Sequence, residues 1–219
     1  MDAAGSEIIE RLGRKEITAK QLCSNVVDDN SLLGVMIAGI SSSKASIRYG
    51  CAKAAMSLSG EHPELLYPYM DYFVGLLDSK KRILVWDSLA IIANLTRVDE
   101  AKKFDAIYEQ YFRLLQNDYM VTVANVVGNA GKIASAKPYL VQKIASDILK
   151  VEDIKLTPHL TKECKMVIMQ HAIKAFDGFF PDIENKEEVL SFVKRRLNCS
   201  RLTLRTEAQK FLRKWEKYD

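Results

Sequence analysis

"SIRYGCAKAAMSL", residues 46–58, decides how this chain folds. Ile47, Cys51, Ala54, Ala55 and Leu58 stand at offsets 0, 4, 7, 8 and 11 from Ile47, and those offsets form one face of a helix. The pattern returns at Leu84, Ser88, Ile91, Ile92 and Leu95, and at Thr122, Val126, Asn129, Ala130 and Ile133. It returns loosely at Lys165, Met169, Ala172, Ile173 and Phe176, and again at Leu204, Ala208, Phe211, Leu212 and Trp215. The last anchors are 37, 38, 43 and 39 residues apart, and the longest interval contains the extra stretch "VEDIKLTPHL". A recurrence of this length marks a helix-turn-helix unit that buries its apolar face against its own copies.

Each copy is preceded by another helical stretch, such as "PELLYPYMDYFVGLLDS" or "KKFDAIYEQYFRLLQND". Breaks at "GEHPE", "TRVDEA", "QNDY", "SAKP" and "LNCS" carry residues that stop or cap helices. With 10 glycines and 5 prolines in 219 residues, the chain lacks the turn residues that an all-β fold needs. Two further helices, about 6–15 and 18–29, precede the first full unit. The expected architecture is all-α, a right-handed α-α superhelix of about five helix-pair repeats over 31–219, behind an N-terminal helical cap over 1–30.

In "SSSKASIRYGCAKAAMSL", "LLDSKKRILVWDSLAIIANL" and "LRTEAQKFL" the chain resembles the HEAT-repeat family of armadillo-like superhelices. That family opens its second helix with an aliphatic residue followed by Arg. Ile47-Arg48 and Leu204-Arg205 match, and the three middle units depart from the pattern. The resemblance covers about residues 30 to 217 and implies that the second helices line a concave side. It implies a fold and leaves the role open.

The small residues Gly50, Ala52, Ala54 and Ala55 predict a close helix crossing. The face opposite the anchors falls at offsets 2, 5, 6 and 9. In the first two units it carries Tyr49, Met56, Trp86 and Leu89, in the third Val127, Gly128 and Gly131, and in the last Thr206, Gln209, Lys210 and Arg213. An apolar, aromatic-edged concave groove suits a protein or peptide partner, with Tyr49, Met56, Trp86, Leu89 and Val127 as contacts. The competing reading is that these side chains are buried against neighbouring repeats. Self-association through the same face, giving a homodimer, is a third possibility.

The sequence shows no motif for catalysis, metal or cofactor. P-loop, GxGxxG and HExxH patterns are missing, and His62, His159 and His171 are dispersed. The expectation is therefore a non-enzymatic scaffold without cofactors. HEAT-like iron hydroxylases need repeated His-Glu pairs, and this chain has one Glu61-His62 in reversed order. HEAT-like alkylpurine DNA glycosylases use a basic groove with aromatic and acidic residues. Tyr49, Trp86 and Asp87 match that in part, without cations in the middle units to hold phosphates.

Lys186–Asp219 carries ten Lys/Arg against five Asp/Glu, while the remaining residues carry 22 against 23. Arg195, Arg196, Arg201, Arg205, Lys210, Arg213 and Lys214 thus form a candidate nucleic-acid patch, or the polar end that a repeat array requires. The four cysteines are far apart, no apolar run approaches the roughly 20 residues of a membrane span, and the first residues do not read as a secretion signal. These features predict a soluble cytoplasmic protein with reduced cysteines that does not associate with membranes.

Overall fold

The computed structural model describes residues 3–215. By contacts the chain divides into two compact units, Met1–Glu100 and Ala101–Asp219. The expected cap over 1–30 and array over 31–219 begin and end in residues outside those described, at 1, 2 and 216–219.

Unit one contains α1 (Ala3–Gly13), α2 (Ala19–Asp28), α3 (Leu32–Gly39), α4 (Ala45–Glu61), α5 (Pro63–Leu66), α6 (Met70–Gly75) and α7 (Arg82–Leu95). A 3-10 turn, Tyr67–Tyr69, joins α5 and α6 into one bent first helix, which a second, Leu76–Asp78, ends. Unit two contains α8 (Lys103–Phe112), α9 (Met120–Ala136), α10 (Val141–Leu149), α11 (Lys162–Phe179), α12 (Lys186–Lys194) and α13 (Leu202–Trp215). No strand occurs among the described residues, and the one β-bridge joins Thr157 to Leu160. The second helices of the repeats are α4, α7, α9, α11 and α13, as the periodicity predicts. Their twenty-five anchor positions are all buried except Lys165 and Trp215, which are half-covered.

Local chemistry sets the helix ends. Thr18 caps α2 reciprocally: its hydroxyl accepts from the Gln21 amide at 3.2 Å, and Gln21 Oε1 accepts from the Thr18 amide at 2.8 Å. The helices α4 and α9 end alike. His62 and Lys137 leave the helical region with φ of −135° and −132°, as a residue before proline must. Pro63 and Pro138 then open the next helical segment, where a missing N–H costs nothing.

The turns before the second helices share a device. Ser42, Ser79 and Asn117 stand five residues before the first anchors Ile47, Leu84 and Thr122. Each accepts a hydrogen bond from the backbone amide two residues on, at 3.2, 3.1 and 3.0 Å. Arg48 and Arg205 share another. Arg48 Nη1 donates to the Ser42 carbonyl at 2.8 Å, and Arg205 Nη1 donates to the Cys199 carbonyl at 2.8 Å, in both cases six residues back. The arginine after the first anchor therefore ties down the incoming turn in the two repeats that have it.

The small residues of α4 answer to its neighbours. A Cβ on Gly39 of α3 would lie 2.5 Å from Cys51 Sγ, and one on Gly50 would lie 2.9 Å from Leu12 Cδ2 of α1. A methyl group at Gly39 would force Cys51 to shift, and one at Gly50 would force the Leu12 side chain to turn away. α4 also packs on α2 and on α7, which explains why Ala52, outside the anchor stripe, is buried.

Side-chain hydrogen bonds between repeats join residues 31 to 43 positions apart. The shortest separations are Ser41 with Tyr72 and Gln170 with Arg201, and the longest is Glu152 with Arg195. Within each unit, neighbouring repeats are thus tied to one another. In unit two the ties are supplemented by aromatic packing. Phe180, at the end of α11, meets Phe211 and Trp215 of α13 at 5.0 and 5.2 Å.

Candidate functional site

The predicted contact residues do not share one fate. Leu89 and Val127 are fully buried, which corrects their assignment to an open groove. The reason is geometric: offset 5 lies about 110° from the centre of the anchor stripe, and the helices packed on α7 (α4 and α6) and on α9 (α10 and α11) bury an arc that wide. Tyr49, Met56 and Trp86 are half-covered, so they retain surface on the face away from the anchors.

These three belong to unit one. Tyr49 and Trp86 occupy offset 2 of α4 and α7, two helices packed against each other. The Arg48 guanidinium lies 4.7 Å from the centre of the Tyr49 ring, which fixes the ring by a cation–π contact. Lys53, one turn after Tyr49, is exposed. Across from it on α7, Asp87 is half-buried; burial pushes its carboxyl up to about 6, and the positive charge of Lys53 pulls the other way. The structure brings Tyr49, Trp86, Lys53 and Asp87 onto one pair of helices.

On unit two the corresponding face is more polar. Gly128 is exposed, and a Cβ there would meet His171 Nδ1 at an ordinary 3.7 Å. A Cβ on Gly131 would lie 3.6 Å from the Ala175 carbonyl, so packing does not demand glycine at either position. Burial and the neighbouring Lys174 hold the His171 imidazole below its usual range.

The basic end is largely neutralised. Glu152 receives Arg195 at 2.6 Å and Arg196 at 2.9 Å, and the two arginines hold its carboxyl below the usual range. Arg201 pairs with Glu163, Lys210 with Glu207 and Lys214 with Asp177. Arg205 is spent on the turn described above, and Arg213 Nε donates to the Gln209 carbonyl. Arg196 is buried over the Phe192 ring, 4.3 Å from its centre. These pairings compensate most of the excess charge that phosphates would need.

A cleft of about 1010 Å³ in unit two escaped the sequence reading. It opens between the 3-10 ends that follow α8 (Arg113–Gln116) and α10 (Lys150–Asp153), and the inserted loop 154–160 forms one wall. Its signal in the sequence was the 43-residue interval, which exceeds the others by four to six residues. Among the described residues no cluster of His, Cys, Asp and Glu is arranged to hold a metal ion, and no helix is long and apolar enough to cross a membrane.

Two solved structures match nearly the whole chain. A designed armadillo repeat protein, YIII(Dq)4CqI, superposes with a TM-score of 0.61 at 15% identity, over 94% of this chain and 89% of that one. This chain has an armadillo-like helical-repeat fold. An engineered protein, Northeast Structural Genomics Consortium target OR329, matches with a TM-score of 0.54 at 14% identity, over 98% of this chain and 89% of that one. No protein-family model and no curated protein matches the sequence. The armadillo-like fold accounts for the paired helices and their period and leaves the role open.

Proposed function

We propose that this protein is a non-enzymatic scaffold that binds a protein or peptide partner, using the face of α4 and α7 that carries Tyr49, Met56 and Trp86. The observation that supports this is the pairing of two half-covered aromatic side chains at the same repeat offset on adjacent helices. A partner covering them gains apolar burial at small entropic cost, because Tyr49 is already held by Arg48. Lys53 and Asp87 border the aromatics and supply polar orientation.

Affinity capture with wild-type protein, Trp86→Ala and Tyr49→Ala tests this reading, with Gln209→Ala as a surface control. The expected result is a set of partners held by wild type and control and released by both aromatic variants. If both aromatic variants retain every partner of the wild type, the face is not a binding face.

A further inference from the structure

The second helices of unit two share a chemistry that its first helices lack. α9 packs on α11 and α11 on α13, so the three form a layer. With the 3-10 end of α11 they carry eight Lys/Arg against four Asp/Glu. The first helices α8, α10 and α12, with the 3-10 ends of α8 and α10, carry six against seven. The excess includes the side turned away from the anchors. There, offsets 2, 5, 6 and 9 of the three helices hold Lys174, Lys210 and Arg213, the imidazole of His171, and no carboxylate. Lys174 and Arg213 stand at the same offset, 9, on adjacent helices, and both are exposed.

The acidic groups of this layer are engaged by other cations or lie off the face. Glu163 pairs with Arg201, Glu207 with Lys210 and Asp177 with Lys214. Asp182 lies at the end of α11 beside α10, where its carbonyl accepts from Gln142. Lys174 and Arg213 have no carboxylate partner among the described residues. Beside them the surface is low. Gly128 and Gly131 stand at offsets 6 and 9 of α9, Gly128 next to His171, and packing requires glycine at neither. Glycine weakens a helix interior, so two of them where packing leaves space mark room for a chain to approach. No aromatic side chain stands at these offsets, so the face lacks the stacking platform that a single-stranded nucleic acid uses. Packed helix axes lie about 8–10 Å apart, and an extended chain covers about 10 Å in three residues.

We propose that this face of α9, α11 and α13 docks an extended acidic segment of a partner protein. One carboxylate meets Lys174, a second, about three residues along, meets Arg213, and the backbone of the segment passes over Gly128 and Gly131. This surface is separate from the α4–α7 face and stands or falls without it.

A random-peptide display library selected on the full-length protein, with counter-selection on a Lys174→Gln/Arg213→Gln variant, tests the proposal. Lys174 and Arg213 are exposed, so the variant should fold, and circular dichroism checks it. The expected pool is enriched in Asp or Glu pairs about three residues apart. By fluorescence anisotropy, a selected peptide should lose about tenfold in affinity on the double variant, and weaken on Gly128→Leu and with rising salt. The control Lys143→Gln/Lys150→Gln removes the same charge from α10 and its 3-10 end, and should stay within about twofold of wild type. Binding to Trp86→Ala should be unchanged. A selection without binders, a pool without paired acids, equal binding to the Lys174→Gln/Arg213→Gln variant, or an equal loss on the α10 control would overturn it. So would displacement of the peptide by a short single-stranded oligothymidylate at the peptide's own concentration, since the face would then read phosphates.

Discussion

The helices α7 and α13 carry the same anchor pattern and differ in what covers their flanks. On α7 the offset-5 residue, Leu89, is fully buried; on α13 the same offset is Gln209, open to solvent. α7 packs against α4. α13 packs against α11 and α12, and its exposed flank carries Gln209, Lys210 and Arg213. The same offset is thus core or surface according to which helices cover that flank.

Substitution at the matched pair is the sharpest way to break this comparison. Leu89→Ala should cost about 2–5 kcal/mol in urea unfolding, while Gln209→Ala should stay within about 0.5 kcal/mol. Equal effects would mean that α7 is no better enclosed than the terminal helix. The next effect concerns the close crossing of α3 and α4. Gly39→Val drives side-chain atoms into Cys51 and should cost about 1–3 kcal/mol, read as a lowered melting temperature.

The two turn arginines sharpen the comparison from the other side, since they do one job at opposite ends. Arg48→Ala and Arg205→Ala should each lose about 1–2 kcal/mol in the same assay, and lysine should restore only part of it. The smallest effect is at Asp87. Burial pushes its carboxyl up to about 6, above the ordinary aspartate value, so the cost to folding builds as pH rises from about 4 to 6 and is full above 6. Asp87→Asn should therefore stabilise the protein above pH 6, with the gain fading as pH falls toward 4. A stability difference between variant and wild type that is flat from pH 4 to 7 would contradict this.

The anchors were legible because a helix face is a property of one helix, and their offsets can be counted. Leu89 and Val127 were not, because their burial depends on the helices packed alongside, which a single-helix pattern does not contain. The pairing of the basic end was legible in principle. Glu152, Glu163 and Asp177 lie 43, 38 and 37 residues before Arg195, Arg201 and Lys214, which is one repeat length. Counting charges by segment hid this; counting them by period exposes it. The same holds for Ser42, Ser79 and Asn117, whose spacing matches that of the anchors. The cleft was the least legible feature, since its walls come from two repeats and an insertion.

The one-repeat reach of the side-chain hydrogen bonds has a consequence for biosynthesis. A tie that spans 31 to 43 residues can close as soon as the next helix pair leaves the ribosome. Within each unit the early helices therefore need not wait unpaired for the whole chain to be made.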